Sequence, residues 1–309
     1  MLLSSSADLA PQLSWNVVQD VRQVLEFPFM VNAFRAGAVV SVLAGLVGWF
    51  MVLRRQSFAG HTLALVGFPG AAGAVLVGVS ASYGFFAFAV AAALVIAVVP
   101  ARGSGQSSAV TGTVQALALA CGYLFVNLYG GFLGDANALL FGSFLGITSQ
   151  QVVVLLVLAV ATLAVLVAIA RPLLFATVDP DVAAARGVPV RALSVVFLVL
   201  LAVAAAEVSQ ITGALLVFAL LVVPAATAQA WTPRPVAGAV LTVTLGLTVT
   251  WASLFVAYYS PYPIGFVLTS TAFATYLVAG GWHRLRRGAH RSGRAGSRPD
   301  PRAVVLGAP

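Results

Sequence analysis

The chain has 309 residues, 61% of them hydrophobic and only 8% charged, with a mean hydropathy of +1.03. A soluble domain carries about 25% charged residues, so water is excluded as the main solvent. The net charge of +8 is an arginine count, because lysine is absent; with it goes the lysine that a P-loop needs to reach the β/γ-phosphates, so the chain is not itself a P-loop ATPase.

Apolar runs of about 20 residues, each long enough to cross a hydrocarbon core as a helix, recur from about residue 30 to about residue 282. A transmembrane barrel needs alternating apolar and polar residues, and "VVVLLVLAVATLAVLVAIA" does not alternate. The expected fold is all-α: a polytopic transmembrane helix bundle of eight to nine spans. The expected organisation is an N-terminal extension over 1–28, a transmembrane domain over 29–287 and a disordered basic tail over 288–309.

In chain order, "PQLSWNVVQDVRQVLEF" fits a short amphipathic helix at the membrane surface. The N-terminus lacks the basic n-region of a cleaved signal peptide. Nine spans are predicted, over 30–53, 57–80, 83–100, 109–129, 150–171, 191–209, 211–231, 236–257 and 264–282. The glycine-rich stretch between the fourth and fifth is compatible with a partly re-entrant path. Cys121 is the lone cysteine, so no intrachain disulfide forms, and it reads as a small core residue. With the C-terminus in the cytoplasm, Arg54, Arg55, Arg102, Arg171, Arg186, Arg191, Arg234 and the tail arginines all fall inside. That agrees with the positive-inside rule, and only Arg22 and Arg35 fall outside or within the membrane. Nine spans put the N-terminus outside; eight would put it inside. The tail arginines suit membrane lipid headgroups, and nucleic acid is not the expected partner.

Three stretches stand out. "QSFAGHTLALVGFPGAAGA", residues 56–74, holds His61, the one histidine before residue 283, with Pro69 and a set of glycines. Gly60, Gly67, Gly70 and Gly73 allow close helix approach and Pro69 allows a bend. "RPLLFATVDPDVAAARGVPVR", residues 171–191, specifies a short cytoplasmic helix. Asp179 suits the N-cap, Pro180 the first helical position, Asp181 the positive helix end, and Gly187 a left-handed stop. A surface connector needs no such specification, so this helix, within 172–190, reads as a docking element for a cytoplasmic partner. "GALLVFALLVVPAATA", residues 213–228, puts Pro224 inside a span, where it removes a backbone hydrogen bond and kinks the helix.

These stretches together resemble the integral-membrane permease subunit of the metal-ion ABC importers, which move zinc, manganese or iron. "VLRRQSFAGHTLALVGFPGAA" is similar to the family's pattern after its first span. "FATVDPDVAAARGV" is similar to its cytoplasmic coupling helix, with Asp179, Pro180, Asp181, Ala184 and Gly187 at the matching positions. "GALLVFALLVVPAATA" is similar to its proline span, and "YYSPYPIG" to its last outside loop. The match extends from about residue 29 to 282. The resemblance implies an importer permease in a bacterial inner membrane, working as a homodimer. It implies a cytoplasmic ABC ATPase subunit and an extracytoplasmic metal-binding protein as partners. All-arginine usage with abundant Ala, Val and Gly fits a GC-rich bacterium. The permease itself carries no catalytic residue and no cofactor.

One departure bears on cargo. The family places an Asp and a His four residues apart on one helix face, where they hold the metal briefly. The matching positions here are His61 and Leu65. The expected translocation path therefore includes His61 as the metal contact, with Leu65, Pro69, Glu207 and Pro224; a hydrogen-bonded packing role is the alternative for His61. Glu207 is the one other acidic candidate at membrane depth, unless it faces the outside water. A secondary transporter would carry several buried carboxylates, whereas the eight acidic residues lie nearly all in loops or termini. An intramembrane metalloprotease would need His-Glu-x-x-His and a diaspartyl enzyme two intramembrane Asp residues, and the sequence has neither. A permease for a non-metal or chelated cargo remains an alternative within the same architecture.

Overall fold

The computed structural model describes residues 16–99, 104–129, 142, 146–214 and 216–295. Among these the regular structure is entirely helical. Helices α1 to α5 cover Val17–Leu25, Pro28–Leu53, Ser57–Leu76, Ala81–Val98 and Ser104–Tyr129. Helices α6 to α8 cover Ser149–Val178, Pro180–Ala185 and Val190–Thr212; α9 to α12 cover Val217–Leu221, Val223–Trp231, Pro235–Tyr259 and Ile264–Ala295. Among the described residues, 8 helices are long and apolar enough to cross a membrane.

The predicted seventh span, 211–231, is not one helix. Helix α8 runs on to Thr212, and Gly213 then turns the chain at φ 82° and ψ 150°, a conformation open essentially to glycine alone. The shorter apolar segment Val217–Trp231 divides at Val222 into α9 and α10. Pro224 lies in the first turn of α10 and offers no N–H to the Leu220 carbonyl, so the proline ends one helix and starts another rather than bending a single one.

Long-range hydrogen bonds define the two ends of the bundle. At one end, the Asn32 amide donates to the Ile147 carbonyl at 3.2 Å, and the Tyr259 hydroxyl donates to the Asp20 carbonyl at 3.0 Å. At the other, the Gln229 amide donates to the Trp49 carbonyl at 2.9 Å, and the Trp231 indole donates to the Ala279 carbonyl at 3.2 Å. The α2–α3 turn and the short helix α7 lie at this second end, which we call the hairpin end. The backbone stays helical through Ala295, so the first eight residues of the expected disordered tail continue α12; 296–309, Arg102 and most of the glycine-rich stretch lie outside the described residues.

Helices α2 and α8 form the centre of the bundle, with 67% of their most apolar stretch buried, against 22% for α6. Inside the bundle, Ser41 donates to the Thr250 hydroxyl at 2.8 Å, tying α2 to α11, and Thr250 donates to its own Gly246 carbonyl. Both hydroxyls are buried and thereby satisfied. Helices α3 and α4 interlock through glycine. A Cβ on Gly67 would overlap the Phe85 ring, and one on Gly70 would meet the Gly84 carbonyl and Phe88. Small residues permit this approach, which is how helices associate where hydrophobic burial gives no driving force.

Candidate functional site

The turn into α3 is built by a Schellman motif. Arg55 N–H donates to the Val52 carbonyl at 3.0 Å, and Gln56 N–H to the Met51 carbonyl at 2.9 Å. The left-handed position is Arg55, at φ 57°, where helices more often place glycine. Helix α3 then presents three faces to α4, α5 and α8. Its remaining face is open: Phe58, His61, Leu65, Phe68, Ala72 and Leu76 are all partly or fully exposed at three- and four-residue spacing.

His61 lies one turn into α3, on this face. Its ring meets Phe218 of α9 edge-on, with centroids 5.6 Å apart and planes at 87°. Its Nδ1 is buried without a hydrogen-bond partner, and the residue lines a narrow gap, too tight for a water molecule, with Met51, Gly60, Val217, Phe218, Leu221 and Val222. The expected alternative of a hydrogen-bonded packing histidine is therefore not what is seen at that nitrogen. Leu65 sits one turn deeper on the same face.

The other path candidates are not gathered there. Pro69 is buried, and its ring packs where a Cβ on Gly122 of α5 would stand. Pro224 is buried, close to Gly246 of α11. Glu207 is wholly buried in α8, with neither carboxylate oxygen hydrogen-bonded, and the neighbouring Ser209 hydroxyl is also unpartnered. The outside-water alternative for Glu207 is thus overturned: the side chain points into the protein. Gly60, next to His61, faces the Leu201 side chain of α8, six residues before Glu207, so His61 and Glu207 lie about 10 Å apart along the bundle. Among the described residues, no three or more His, Cys, Asp or Glu side chains converge to hold a metal ion.

The hairpin at 172–190 forms as its residues dictate. The Asp179 carboxylate accepts from the Val182 N–H at 3.0 Å, capping α7. Pro180 occupies the first helical position. Gly187, at φ 80°, ends the helix, with Val188 N–H donating to the Ala183 carbonyl at 3.0 Å. Asp179, Pro180, Asp181, Ala184 and Gly187 are all exposed. Beside them, Phe175, Val178 and Val182 are exposed too, Val178 to 76%. The hairpin is pinned by Ala183, which is fully buried.

Two residues important to these sites were not singled out in the sequence. Phe218 sits against His61 across 157 positions of chain, and Arg54 joins helices across 123 and 140 positions. Neither pairing has a local signal.

Known proteins bear out this architecture. The chain is 28% identical over 254 residues to the manganese import system permease protein ScaB of Streptococcus parasanguinis, covering 82% of this chain and 90% of that one. It is 29% identical over 212 residues to the manganese transport system membrane protein MntC of Halalkalibacterium halodurans, covering 69% and 73%. Among solved structures, PsaBC from Streptococcus pneumoniae in complex with Fab matches with a TM-score of 0.76 and 26% identity, covering 85% of this chain and 95% of that one. An inward-facing structure titled as a putative metal-chelate type ABC transporter shares the fold, with a TM-score of 0.62 at 19% identity. The profile of the ABC 3 transport family matches residues 26–281. The chain is a membrane-spanning permease, and it belongs to the ABC 3 transport family.

Proposed function

We propose that the chain is the permease subunit of an ATP-driven importer for a divalent first-row transition metal. The observation that carries this reading is the open face of α3, with the half-buried His61 imidazole on it and its buried Nδ1 without a hydrogen-bond partner. Imidazole is a ligand type suited to a passing transition-metal ion. Two copies related by a two-fold axis bring two such faces together, and each supplies one imidazole to the path. One nitrogen per copy gives weak, releasable contact, because a tight transition-metal site needs about four donors. Imidazole also favours zinc or iron over harder manganese, so the cargo preference differs from that of the manganese importers the chain is similar to.

The permease makes and breaks no bond. A separate cytoplasmic ABC ATPase docks on the exposed side of α7, with the apolar patch of Phe175, Val178 and Val182 seated in it and Asp181 at its rim. The hairpin end and the C-terminus therefore lie in the cytoplasm of a bacterial inner membrane. A metal-binding protein delivers cargo to the opposite end. Helix α1 lies at the membrane surface there.

The test is radiometal uptake in a strain lacking the chain, with zinc, manganese and iron. Loss of high-affinity uptake of one metal, restored by complementation but not by the His61→Ala chain at limiting metal, is expected. Unchanged uptake of all three overturns the metal reading. A chelated cargo is the second reading, favoured by Leu65 where the family has its histidine. It predicts uptake of a metal complex that is insensitive to His61→Ala.

A further inference from the structure

The guanidinium of Arg54 touches three separate parts of the chain at the hairpin end. Nη1 donates to the Thr177 hydroxyl at 3.0 Å, Nη2 to the Ser194 hydroxyl at 2.8 Å, and Nε to the Gln56 side-chain oxygen at 3.4 Å. The group lies over the Phe197 ring, 5.3 Å from its centroid. Thr177 precedes the α7 hairpin, near the end of α6, and Ser194 follows it, in the first turns of α8. Gln56 is the N-cap residue of α3, whose open face carries His61 five positions later.

The acceptors are fixed in that role. Each hydroxyl has a single proton. Thr177 gives its proton to the Leu173 carbonyl at 2.6 Å, and Ser194 gives its own to the Val190 carbonyl at 2.9 Å. Only lone pairs then remain to face Arg54. The fork of the guanidinium spans both hydroxyls at once, which a lysine ammonium on its flexible stem does not. Among the described residues no carboxylate joins Arg54. The contact is therefore a set of hydrogen bonds to neutral acceptors, with none of the fixed anchoring of a buried ion pair.

We propose that Arg54 is the positioning residue that transmits movement of the α7 hairpin to α3, so that ATPase docking moves the His61 face. The hairpin is held at both its entry and its exit by one side chain, and that side chain opens the turn from which α3 starts. A displacement of α7 draws Thr177 and Ser194 with it, and Arg54 carries the displacement to Gln56. Arg54 itself touches no cargo. The inference rests on the importer reading and adds to it the element that couples the two sites; spatial intermediacy alone does not establish such coupling.

The experiment reconstitutes the permease with its ATPase in proteoliposomes and measures metal uptake and ATP hydrolysis together. For Arg54→Met, metal transported per ATP hydrolysed is expected to fall about tenfold or more, the scale of losing hydrogen bonds to a charged group, while the complex still assembles and hydrolyses ATP. Arg54→Lys restores part of that ratio. The double variant Thr177→Val with Ser194→Ala leaves Arg54 in place and is expected to uncouple in the same way, which carries the test where Arg54→Met fails to assemble. A wild-type ratio in the double variant, or equal losses of uptake and hydrolysis in every variant, overturns the role. Absence of metal uptake by the wild-type complex instead overturns the importer reading on which it rests.

Discussion

The α7 hairpin and the α3 face differ in how their polar groups are satisfied. At the hairpin, Asp179 caps a backbone N–H, Gly187 closes a Schellman turn, and Thr177 and Ser194 use both proton and lone pairs. Deeper in the bundle, His61 Nδ1, both oxygens of Glu207 and the Ser209 hydroxyl have no partner. A buried polar group left alone costs about 1–3 kcal/mol. The contrast teaches that local sequence completes the hairpin's hydrogen bonds, whereas helix packing leaves these four interior atoms unpaired.

Breaking the finished region has the largest expected effect. Deletion of 180–186 removes α7, the proposed docking helix, without touching a span. Uptake should fall to background while membrane insertion, followed by fractionation, stays normal; Asp181→Arg should act in the same direction. Normal uptake in either variant removes the docking role. Next comes Gly70→Val, which drives a side chain into the Gly84 carbonyl and Phe88. Overpacking against backbone should lower stability by about 3 kcal/mol, read as a reduced thermal midpoint in detergent.

Glu207→Leu sharpens the comparison from the other side. If nothing in the chain satisfies that carboxyl, an apolar group of similar size should raise stability of the isolated chain by about 1–3 kcal/mol. A lowered midpoint would reveal a partner for the carboxyl. Asp179→Ala should cost about 1 kcal/mol through loss of the cap, visible as faster hydrogen exchange over 180–186. The smallest effect belongs to Arg55→Gly. Glycine adopts the left-handed conformation without the Cβ penalty, so the turn should gain about 1 kcal/mol, and a loss there would show that the Arg55 side chain makes a contact worth more than its strain.

Most of the spans were legible in the sequence, because an apolar run of sufficient length determines a helix locally. The hairpin was legible for a related reason: Asp179, Pro180 and Gly187 act on backbone within three residues of themselves. The seventh span was read as continuous because Pro224 alone predicts a kink. The division into α9 and α10 also needs the turn at Gly213 and packing such as that of Leu221 against Gly48, which neighbouring residues do not encode. Glu207 shows a further limit. A glutamate near the end of an apolar run looks the same whether water or protein surrounds it. The resemblance located the His61 face, but its contact with Phe218 and the Arg54 links appear only when the helices are assembled.

The interlocking of α3 with α4 has a mechanical consequence. With Gly67 against Phe85 and Gly70 against Gly84, the pair cannot slide without collision and behaves as one lever. Helix α3 is 20 residues long, or about 30 Å. A tilt of about 5° at its hairpin end sweeps its far end by about 3 Å, carrying Gly78 and the short link to α4 with it. A push at one membrane surface thus arrives at the other as a lateral stroke.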